Sequence, residues 1–412
     1  MNRIFYTLLM ALLAALAVTS CKDYGDVSRT YSITVSPQLP EGVSVSDLTS
    51  AKVTAVNAYT GRGFVSEEIA PSYTFEVPGG IYAVTFAMRY NEGGIIRTYN
   101  GSMNVDAYQE KPVSVSLDEG ISGGLIFKEV YYNMVKPNGK TNYMRDQFFE
   151  IYNNSDEVLY LDNCALAILD PGQGKVETPW KDENGEIMKE YAVSGYIPYF
   201  AGSGSDYPLQ PGKSIVIASQ ALDHTAETRS MADLSKPGAM LSPVNLENAD
   251  YEVCLIDYKP TQAVDNPLVP NINVYLSGSG GNFFFLPYQG KNIIFAKFPG
   301  NPMEYLKDEA HRKPKPGSSV ATRFAMVPQE FVLDGINIVS HVVNDQRKCL
   351  RPEVDAGKVG MSAMYAGKSI RRKVESITAD GRVVFKDTNN STEDFLSDLT
   401  PTPGIIPDAV DE

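Results

Sequence analysis

The chain is poor in the residues that most often carry catalysis and metal binding. Its 412 residues include three histidines, four cysteines and one tryptophan. Basic residues are also in the minority, with 36 lysines and arginines against 50 aspartates and glutamates, a formal net charge of −14. No lysine- or arginine-rich run offsets that negative field, so a nucleic-acid backbone would be repelled. The composition therefore excludes nucleic acid as an expected partner.

Metal-site motifs are missing as well. The sequence contains neither a Cys-x-x-Cys nor a His-Glu-x-x-His pattern, which are the common signatures of zinc sites. With three histidines, a Ser-His-Asp or Cys-His arrangement also has little raw material. We therefore expect no resident cofactor and no catalytic residues, and a loop Ca²⁺ site is the one cofactor alternative left open.

Long apolar runs are absent except near the start. The run from Ile4 to Val18 has fifteen residues, fewer than the roughly 20 that cross a bilayer as a helix. This length, after Arg3, is typical of the core of a signal peptide. The pattern predicts that residues 1–20 are removed from the mature protein.

A lipidation motif follows this run. Val18-Thr19-Ser20-Cys21 resembles the lipobox of bacterial lipoproteins, in which the cysteine thiol takes a diacylglycerol. The resemblance implies that Cys21 anchors the chain, because two or three acyl chains hold a protein stably on a membrane. Acidic residues just after Cys21 resemble the surface-export signal of Bacteroidetes-type lipoproteins. We therefore expect a lipid-anchored outer-membrane protein that faces the cell surface.

The other three cysteines permit two states. Cys164, Cys254 and Cys349 either form one disulfide and leave one free thiol, as an oxidising envelope allows, or act as small buried apolar residues. Cys164 and Cys254 lie in apolar, strand-like runs. The sequence alone leaves the choice open.

What the chain does have is the composition of a β-rich protein with many turns. It contains 33 glycines, 26 prolines and 24 tyrosines. Between residues 31 and 119, apolar and polar residues alternate, as at Tyr73, Phe75 and Val77, which predicts strands with one buried face. Pro78-Gly79-Gly80 predicts a turn that joins two of these strands as a hairpin. We expect a small β-sandwich over residues 31–119.

Two resemblances refine this all-β fold class. The run from Phe75 to Phe86 resembles the core hairpin of carboxypeptidase-regulatory-like and transthyretin-like sandwiches, which usually act as spacers. Beyond a glycine-rich joint, Glu129-Val130, Glu150-Ile151-Tyr152-Asn153 and Leu209-Gln210-Pro211-Gly212 resemble strands and a turn of the lamin-tail domain. That resemblance implies a larger, immunoglobulin-like β-sandwich with long loop insertions.

Taken together, residues 30–404 resemble an uncharacterised Bacteroidetes-type envelope lipoprotein family, a domain of unknown function that we associate with outer-membrane transport loci. The resemblance implies an outer-membrane transporter as a partner. The expected organisation is a signal peptide, a lipid anchor with a tether, a small sandwich, a lamin-tail-like domain and a tail, over residues 1–20, 21–30, 31–119, 124–404 and 405–412.

An aromatic insertion between Asp170 and Leu209 is the strongest candidate for a binding surface. Exposed aromatic faces hold sugar rings and other flat apolar groups, so these rings predict a platform for a glycan or a peptide. Alternatively, the rings cover one end of the sandwich. The candidate residues are Trp180, Tyr191, Tyr196, Tyr199 and Tyr207.

A second insertion, residues 221–242, is the candidate for a metal site. Asp223 and His224 lie in it and Asp250 follows, and oxygen-rich loops of this kind can hold a divalent cation. A short helix is expected over residues 231–234. One histidine with nearby carboxylates falls short of the usual zinc ligand set.

Three functions remain open. The first is a non-catalytic binding or accessory module that serves an outer-membrane uptake system. The second is a cell-surface hydrolase that uses paired carboxylates or Ca²⁺. The third is a structural component of the envelope. Ligand recognition, turnover that is lost with EDTA, and co-purification at fixed stoichiometry would distinguish the three.

Overall fold

The computed structural model describes residues 29–92, 95–119 and 124–411. The predicted lipidation site at Cys21 and the glycine-rich joint at 120–123 lie outside these residues. Strands arranged in several sheets dominate the structure and helices are few and short. The expected all-β sandwich class is therefore confirmed. No helix in the described part of the chain is long and apolar enough to cross a membrane.

The first region, from residue 30 to 119, contains two sheets. One has the order β4-β1-β7 and the other the order β3-β2-β5-β6-β8. The strands are β1 (Thr30–Gln38), β2 (Leu48–Asn57), β3 (Gly63–Ser66), β4 (Tyr73–Pro78), β5 (Ile81–Glu92), β6 (Ile95–Asp106), β7 (Val113–Ser116) and β8 (Asp118–Glu119).

Alternation builds the core of this N-terminal region. Every second residue of β4 is buried, namely Tyr73, Phe75 and Val77, and β5 buries Val84 and Phe86 in the same way. Because the inward residues of both sheets belong to one apolar cluster, the two sheets pack face to face as a sandwich.

The hairpin predicted at Pro78-Gly79-Gly80 is wrong in its pairing. β4 pairs with β1, whereas β5 pairs with β2 and β6, so the turn carries the chain from one sheet to the other. Alternation shows which face of a strand is buried, but it carries no information on which strand lies beside it. Both strands keep their buried faces, and only the partner differs.

The second region, from residue 125 onward, contains the remaining strands. In chain order they are β9 (Leu125–Tyr131), β10 (Phe148–Asn153), β11 (Leu159–Tyr160), β12 (Cys164–Ile168), β13 (Glu190–Val193), β14 (Gly195–Tyr199), β15 (Pro208–Leu209), β16 (Ser214–Ala218), β17 (Tyr251–Glu252), β18 (Asn273–Ser277), β19 (Ile293–Lys297), β20 (Arg312–Pro314), β21 (Arg323–Pro328), β22 (Val332–Ile336), β23 (Ser369–Arg372), β24 (Val374–Ile377), β25 (Val383–Phe385) and β26 (Phe395–Leu399).

Short helices decorate the loops of this larger region. They are α1 (His224–Ser230), α2 (Pro302–Lys307), α3 (Pro352–Asp355) and α4 (Ser391–Asp394). The helix expected over residues 231–234 is wrong, because the helix in this loop occupies the preceding residues. Asp223 caps that helix by accepting a hydrogen bond from the Ala226 backbone N–H at 3.0 Å, which sets the start of α1 at His224.

Two large sheets face each other in the larger region. One has the order β17-β16-β10-β9-β23-β26 and the other the order β18-β14-β12-β19-β22. Their inward side chains, such as Phe127, Ile151, Leu166 and Phe295, form the main apolar core. The matched apolar faces bury each other, as in other β-sandwiches.

Both sheets are also covered on their outer faces. The three-stranded sheet β13-β21-β20 packs on the outer face of the five-stranded sheet through a second apolar cluster. Residues 244–269 and the hairpin β24-β25 cover parts of the outer face of the six-stranded sheet. This is why all seven residues of β9 are buried and why β9 shows no alternation of exposure.

The predicted aromatic insertion is part of this architecture. β14 lies between β18 and β12 in the five-stranded sheet, and β13 belongs to the covering sheet. The segment from 170 to 209 is therefore built into two of the layers and is not a loop added to a finished sandwich.

Candidate functional site

A cleft lies where the two regions meet, and residues of both regions line it. Its volume is about 350 Å³, which falls within the size range of small-ligand sites. We call it the inter-region cleft. Its lining residues are Ser50, Ala51, Lys52, Glu67, Ala87, Met88, Arg89, Glu375, Lys386, Thr388 and Glu393.

Strand geometry sets one wall of the cleft. Lys52 on β2 and Ala87 on β5 are register partners, and their side chains lie on the outer face of the sheet, opposite the apolar core. Arg89 lies on the same face two residues beyond Ala87. The alternation that buries Val53, Phe86 and Met88 thus turns the polar residues toward the larger region.

The opposite wall comes from the larger region. Glu375 lies on β24 and Glu393 on α4. Asn390 caps α4 by accepting a hydrogen bond from the Thr392 backbone N–H at 3.2 Å. Lys386 and Thr388 come from the segment between β25 and α4. Residues far apart in the chain therefore share one recess.

Opposite charges face each other across the cleft. Lys52 pairs with Glu393 and also lies 3.4 Å from Glu67. Arg89 donates to Glu375 at 2.6 Å. These side chains keep part of their surface in solvent, so each pair holds the regions together only weakly. The cleft therefore presents both donors and acceptors that a ligand can reach.

The charge balance at Lys52 favours its protonated form. Partial burial by itself lowers the pKa of Lys52, but hydrogen bonds and Coulomb attraction from Glu393 and Glu67 outweigh burial and raise that pKa above its ordinary value. The ammonium group is thus a permanent donor at physiological pH.

A buried charge network supports the wall that carries α4. Arg372, whose side chain is 2% exposed, donates to Asp334 at 2.6 Å and to Asp387 at 3.1 Å, and it lies 3.4 Å from Asp394. Burial raises the pKa of Asp334 and of Asp394, although Arg372 opposes the rise. Asp394 is the last residue of α4, so this network positions the helix that carries Glu393.

A second carboxylate anchors the start of the same helix. Asp355 accepts hydrogen bonds from the Ser391 backbone N–H at 2.8 Å and from its hydroxyl at 2.7 Å. Asn389, just before α4, donates to Thr98 of the N-terminal region at 2.9 Å. The wall is therefore rigidly held on its inner side and joined to the neighbouring region.

The exposed aromatic platform predicted for the 170–209 segment is not formed, because most of its rings are buried. Trp180 is 3% exposed, and Tyr191, Tyr196 and Tyr199 are exposed by 5% or less. Tyr207 is partly exposed, but its ring packs against Phe200. The rings lie instead within the packed layers, with Tyr196 in the main apolar core and Tyr191 and Tyr199 between the five-stranded sheet and its covering sheet.

Trp180 illustrates why the platform is absent. Its ring lies on the outer face of the covering sheet, against Ala192, Met326 and Phe324. Its indole N–H donates to Asp170 at 2.9 Å. The polar edge of the ring is satisfied and the apolar face is covered, so neither is free to hold a ligand.

The structure does not bring Asp223, His224 and Asp250 together as a metal site. His224 is buried, with one ring nitrogen 2.7 Å from the Tyr143 hydroxyl and the other 2.9 Å from the Gln220 carbonyl. Asp223 caps α1, and Asp250 accepts from the Val216 backbone N–H at 2.8 Å. Among the described residues, no group of three or more His, Cys, Asp or Glu side chains is placed to hold a metal ion.

The structure distinguishes between the two states that the sequence permits for the three cysteines among the described residues. Cys164, Cys254 and Cys349 are all free thiols. Burial raises the pKa of Cys164 and of Cys349 to about 12, so these two thiols stay protonated and unreactive. The disulfide that the sequence left open is not formed.

The cleft residues escaped the sequence analysis. Lys52, Arg89, Glu375 and Glu393 are ordinary charged residues in four separate elements, and no motif connects them. The available signal was that β2 and β5 carry polar residues on the face opposite the core. An isolated sandwich would expose such residues to solvent, so the signal did not point to a cleft.

Part of this chain is similar to a known protein family. Residues 210–402 match the model of a protein family of unknown function, DUF4876. The matched segment begins just before β16, so β9, β10, β12 and β14, which complete both large sheets, precede it. Within the cleft, Glu375, Lys386, Thr388 and Glu393 belong to the matched segment.

A solved structure shows the same overall fold. The chain is similar to a DUF4876 family protein from Bacteroides thetaiotaomicron VPI-5482, with a TM-score of 0.57 and 24% identity over 92% of this chain and 99% of that chain. A candidate adhesin from Bacteroides ovatus ATCC 8483 aligns with a TM-score of 0.18 and 13% identity, over 36% of this chain and 57% of that one. The search of curated proteins finds no match.

Proposed function

We propose that this chain is a non-catalytic binding module of the cell envelope, anchored to the outer membrane through a lipid on Cys21 and exposed at the cell surface. In this proposal it captures a glycan in the inter-region cleft on behalf of an outer-membrane transporter. The observation that carries the proposal is the cleft itself. Two regions contribute Lys52, Arg89, Glu375 and Glu393 to one recess of ligand size.

The chemistry of the lining favours a glycan over a peptide. Each sugar hydroxyl can accept a hydrogen bond from Lys52 or Arg89 and donate one to a carboxylate such as Glu375. An apolar peptide side chain would find little to contact, because Ala51, Ala87 and Met88 are the apolar residues among the lining. Glu375 and Glu393 are each held in an ion pair, with Arg89 and Lys52 respectively, and we therefore propose binding without turnover.

We also infer that the larger sandwich is of the lamin-tail type. The two motif strands, β9 and β10, are antiparallel neighbours, and Glu129 and Glu150 are register partners. The Leu209-Gln210-Pro211-Gly212 turn leads into β16, which pairs with the other side of β10. In bacteria such domains usually serve attachment or binding, which agrees with the proposed role.

A matched pair of variants tests the cleft. In the mature chain from residue 22 onward, Ala87→Trp fills the cleft and should weaken binding to a panel of extracellular polysaccharides and oligosaccharides by about tenfold or more, or roughly 1.4 kcal/mol. Ala83→Trp places the same ring on the same strand and face, outside the lining residues, and should bind like the parent. Isothermal titration calorimetry measures both.

The outcomes separate the candidate functions. Equal affinity for both variants would reject the cleft as the binding site, and release of reducing sugar by the parent would replace binding with hydrolysis. The anchor is tested separately in the native bacterium. Mass spectrometry should find a diacylglycerol on Cys21, and protease treatment of intact cells should remove the protein. An unmodified Cys21 would overturn the lipoprotein assignment.

A further inference from the structure

One end of the N-terminal region carries an exposed aromatic surface. Tyr59 is 76% exposed, Tyr108 61% and Ile81 39%, and Tyr31 is half-buried beside them. We call these four residues the aromatic tip. Large exposed rings that are grouped together mark a surface that meets something other than water.

Backbone contacts gather the tip from four separate segments. The Ala58 N–H donates to the Ile81 carbonyl at 2.9 Å, and the Ala107 N–H donates to the Gly80 carbonyl at 3.0 Å. These bonds join the β2-β3 loop, the β4-β5 turn and the segment after β6. The segment at the start of β1 is joined through Tyr31, whose ring centroid lies 5.1 Å from that of Tyr108.

Glycine holds one of these rings in place. A Cβ atom at residue 79 would overlap the ring of Tyr108, so only glycine lets this ring lie against the turn. The ring is thus supported on its inner side by backbone and left open on the other. The Gly79 turn therefore holds the Tyr108 ring in its exposed position.

Cationic side chains accompany the rings. The Arg29 guanidinium lies 4.9 Å from the centroid of Tyr31, and that of Arg62 lies 5.2 Å from the centroid of Phe64. Both arginines are exposed. Asp106 and Glu110 lie in the same end of the sandwich, so the tip combines rings with both signs of charge. Tyrosine with arginine is typical of surfaces at the boundary between lipid and water.

The direction of the chain places this tip next to the proposed anchor. β1 begins at Thr30, whose register partner is Pro78 of the β4-β5 turn, so the chain enters the sandwich at the tip. Cys21 precedes Arg29 by eight residues, a stretch that reaches at most about 29 Å in any conformation. A lipid on Cys21 would therefore keep the tip close to the membrane.

The inter-region cleft lies at the opposite end of the same strands. β5 runs from Tyr82 at the tip to Arg89 at the cleft, a distance of about 23 Å at the usual rise per residue. With the tip against the membrane, the cleft and the larger region stand away from it and face outward.

We propose that the aromatic tip inserts into the headgroup layer of the membrane that holds the lipid of Cys21, and so fixes the molecule upright. This inference rests on the proposed anchor. The occupant is a lipid surface, since the chain enters at this end and since rings with adjacent arginines suit a headgroup layer.

The test replaces the natural anchor so that it does not depend on lipidation in the cell. The mature chain carries a polyhistidine tag in place of residues 1–20 and binds nickel-chelating lipid in vesicles of brominated phosphatidylcholine. Tyr59→Trp is the reporter at the tip. Leu268→Trp, at a residue of the larger region that is 89% exposed, is the matched control. Trp180 is buried and adds a constant background.

Emission from the Tyr59→Trp reporter should shift to the blue and lose most of its intensity on brominated vesicles, whereas the control reporter should keep its emission. A tip reporter that stays unquenched while the protein is bound would overturn the inference. Equal quenching of both reporters would also overturn it, because the molecule would then lie flat. An unlipidated Cys21 in the native protein would reject the anchor and this inference with it, whereas an unquenched tip reporter alongside a lipidated Cys21 would reject the inference alone.

Discussion

Both regions of this protein bury β-sheets, but they differ in the polar and charged residues that their interiors contain. In the part of the N-terminal region whose burial the structure describes, the buried polar side chains are Asn57, Thr98 and Asn100, none of them charged. The larger region buries full charges, among them Lys128 and Arg372. Charges inside a protein persist only when they are paired and hydrogen-bonded.

The reason lies in how many layers cover each sheet. The N-terminal sheets have one face on the core and much of the other face in water. Where the larger region covers that outer face, the buried residues are the uncharged Thr98 and Asn100. The large sheets are covered over much of both faces, so a charged side chain on a fully buried strand such as β9 does not reach water. Lys128 therefore lies 2.8 Å from Glu150, which also accepts from Ser214 at 2.5 Å.

The chain end completes this second network. Thr402 donates from its backbone and its hydroxyl to Glu129, at 3.1 and 3.0 Å, and the Gly404 N–H donates to Glu150 at 3.1 Å. Burial raises the pKa of Glu150, although Lys128 opposes the rise. The segment from Thr402 to Gly404 thus covers the buried carboxylates of Glu129 and Glu150 and donates hydrogen bonds to them.

The largest expected effect comes from removing one of the buried cations. Arg372→Met leaves Asp334, Asp387 and Asp394 without their counter-ion, and we expect a loss of about 3–5 kcal/mol in the free energy of unfolding of the larger region. Urea unfolding followed by circular dichroism measures it. The N-terminal region should unfold as in the parent, because its core contains no part of the network.

A matched control uses an exposed arginine. Arg323 pairs with Glu309, and their side chains are 44% and 73% exposed. Arg323→Met should therefore cost about 0–1 kcal/mol. If the two methionine variants lose equal stability, buried charge does not distinguish the regions and the comparison fails.

A smaller effect is expected from pH, again confined to the larger region. Burial lowers the pKa of His224 from 6.5 to about 4. Between pH 6.5 and 4, His224 is therefore protonated in the unfolded chain and neutral in the folded chain. Stability that is present above pH 6.5 is lost as the pH falls toward 4. The loss from this group amounts to about 3 kcal/mol.

Asp146 acts in the opposite direction. Burial raises its pKa from 3.8 to about 6, despite hydrogen bonds from Ser242 and Tyr131. The folded chain therefore holds a proton that the unfolded chain has released, and stability falls by about 3 kcal/mol as the pH rises from 3.8 to 6. Between pH 4 and 6, the contributions of His224 and Asp146 to the free energy of unfolding therefore largely cancel.

Asp146→Asn separates the two contributions. The variant should match or exceed the parent in stability at pH 8 and lose stability more steeply on acidification, because the effect of His224 is no longer offset. His224→Gln should do the reverse and gain stability toward pH 5 relative to the parent. Thermal unfolding between pH 4.5 and 8 measures both. Parallel pH profiles for the two variants and the parent would contradict this assignment.

The smallest expected effect concerns the junction between the regions. Arg89 and Glu375 lie 2.6 Å apart, with side chains 20% and 35% exposed. A double-mutant cycle with Arg89→Gln and Glu375→Gln should give a coupling energy of about 0.2–1 kcal/mol, which decreases with added salt. A coupling above about 2 kcal/mol would show that the junction behaves like the buried networks of the larger region.

Prediction from sequence succeeded where a single strand contains its own signal. The alternation around Tyr73, Phe75 and Val77 indicates a strand and its buried face, and both are present. Asp380-Gly381, a dipeptide typical of tight hairpin turns, lies between β24 and β25, and these two strands pair with each other. Pairing across Pro78-Gly79-Gly80 failed because the partner of a strand is chosen by packing between sheets.

The sequence by itself determined the all-β class and the buried faces of the N-terminal strands, because side chains that alternate along a strand record burial locally. Only the tertiary structure decided that Trp180 and His224 lie inside the fold and that Lys52 meets Glu393. Those outcomes depend on which layers cover which faces and on residues hundreds of positions apart, and no local pattern records a contact between distant segments.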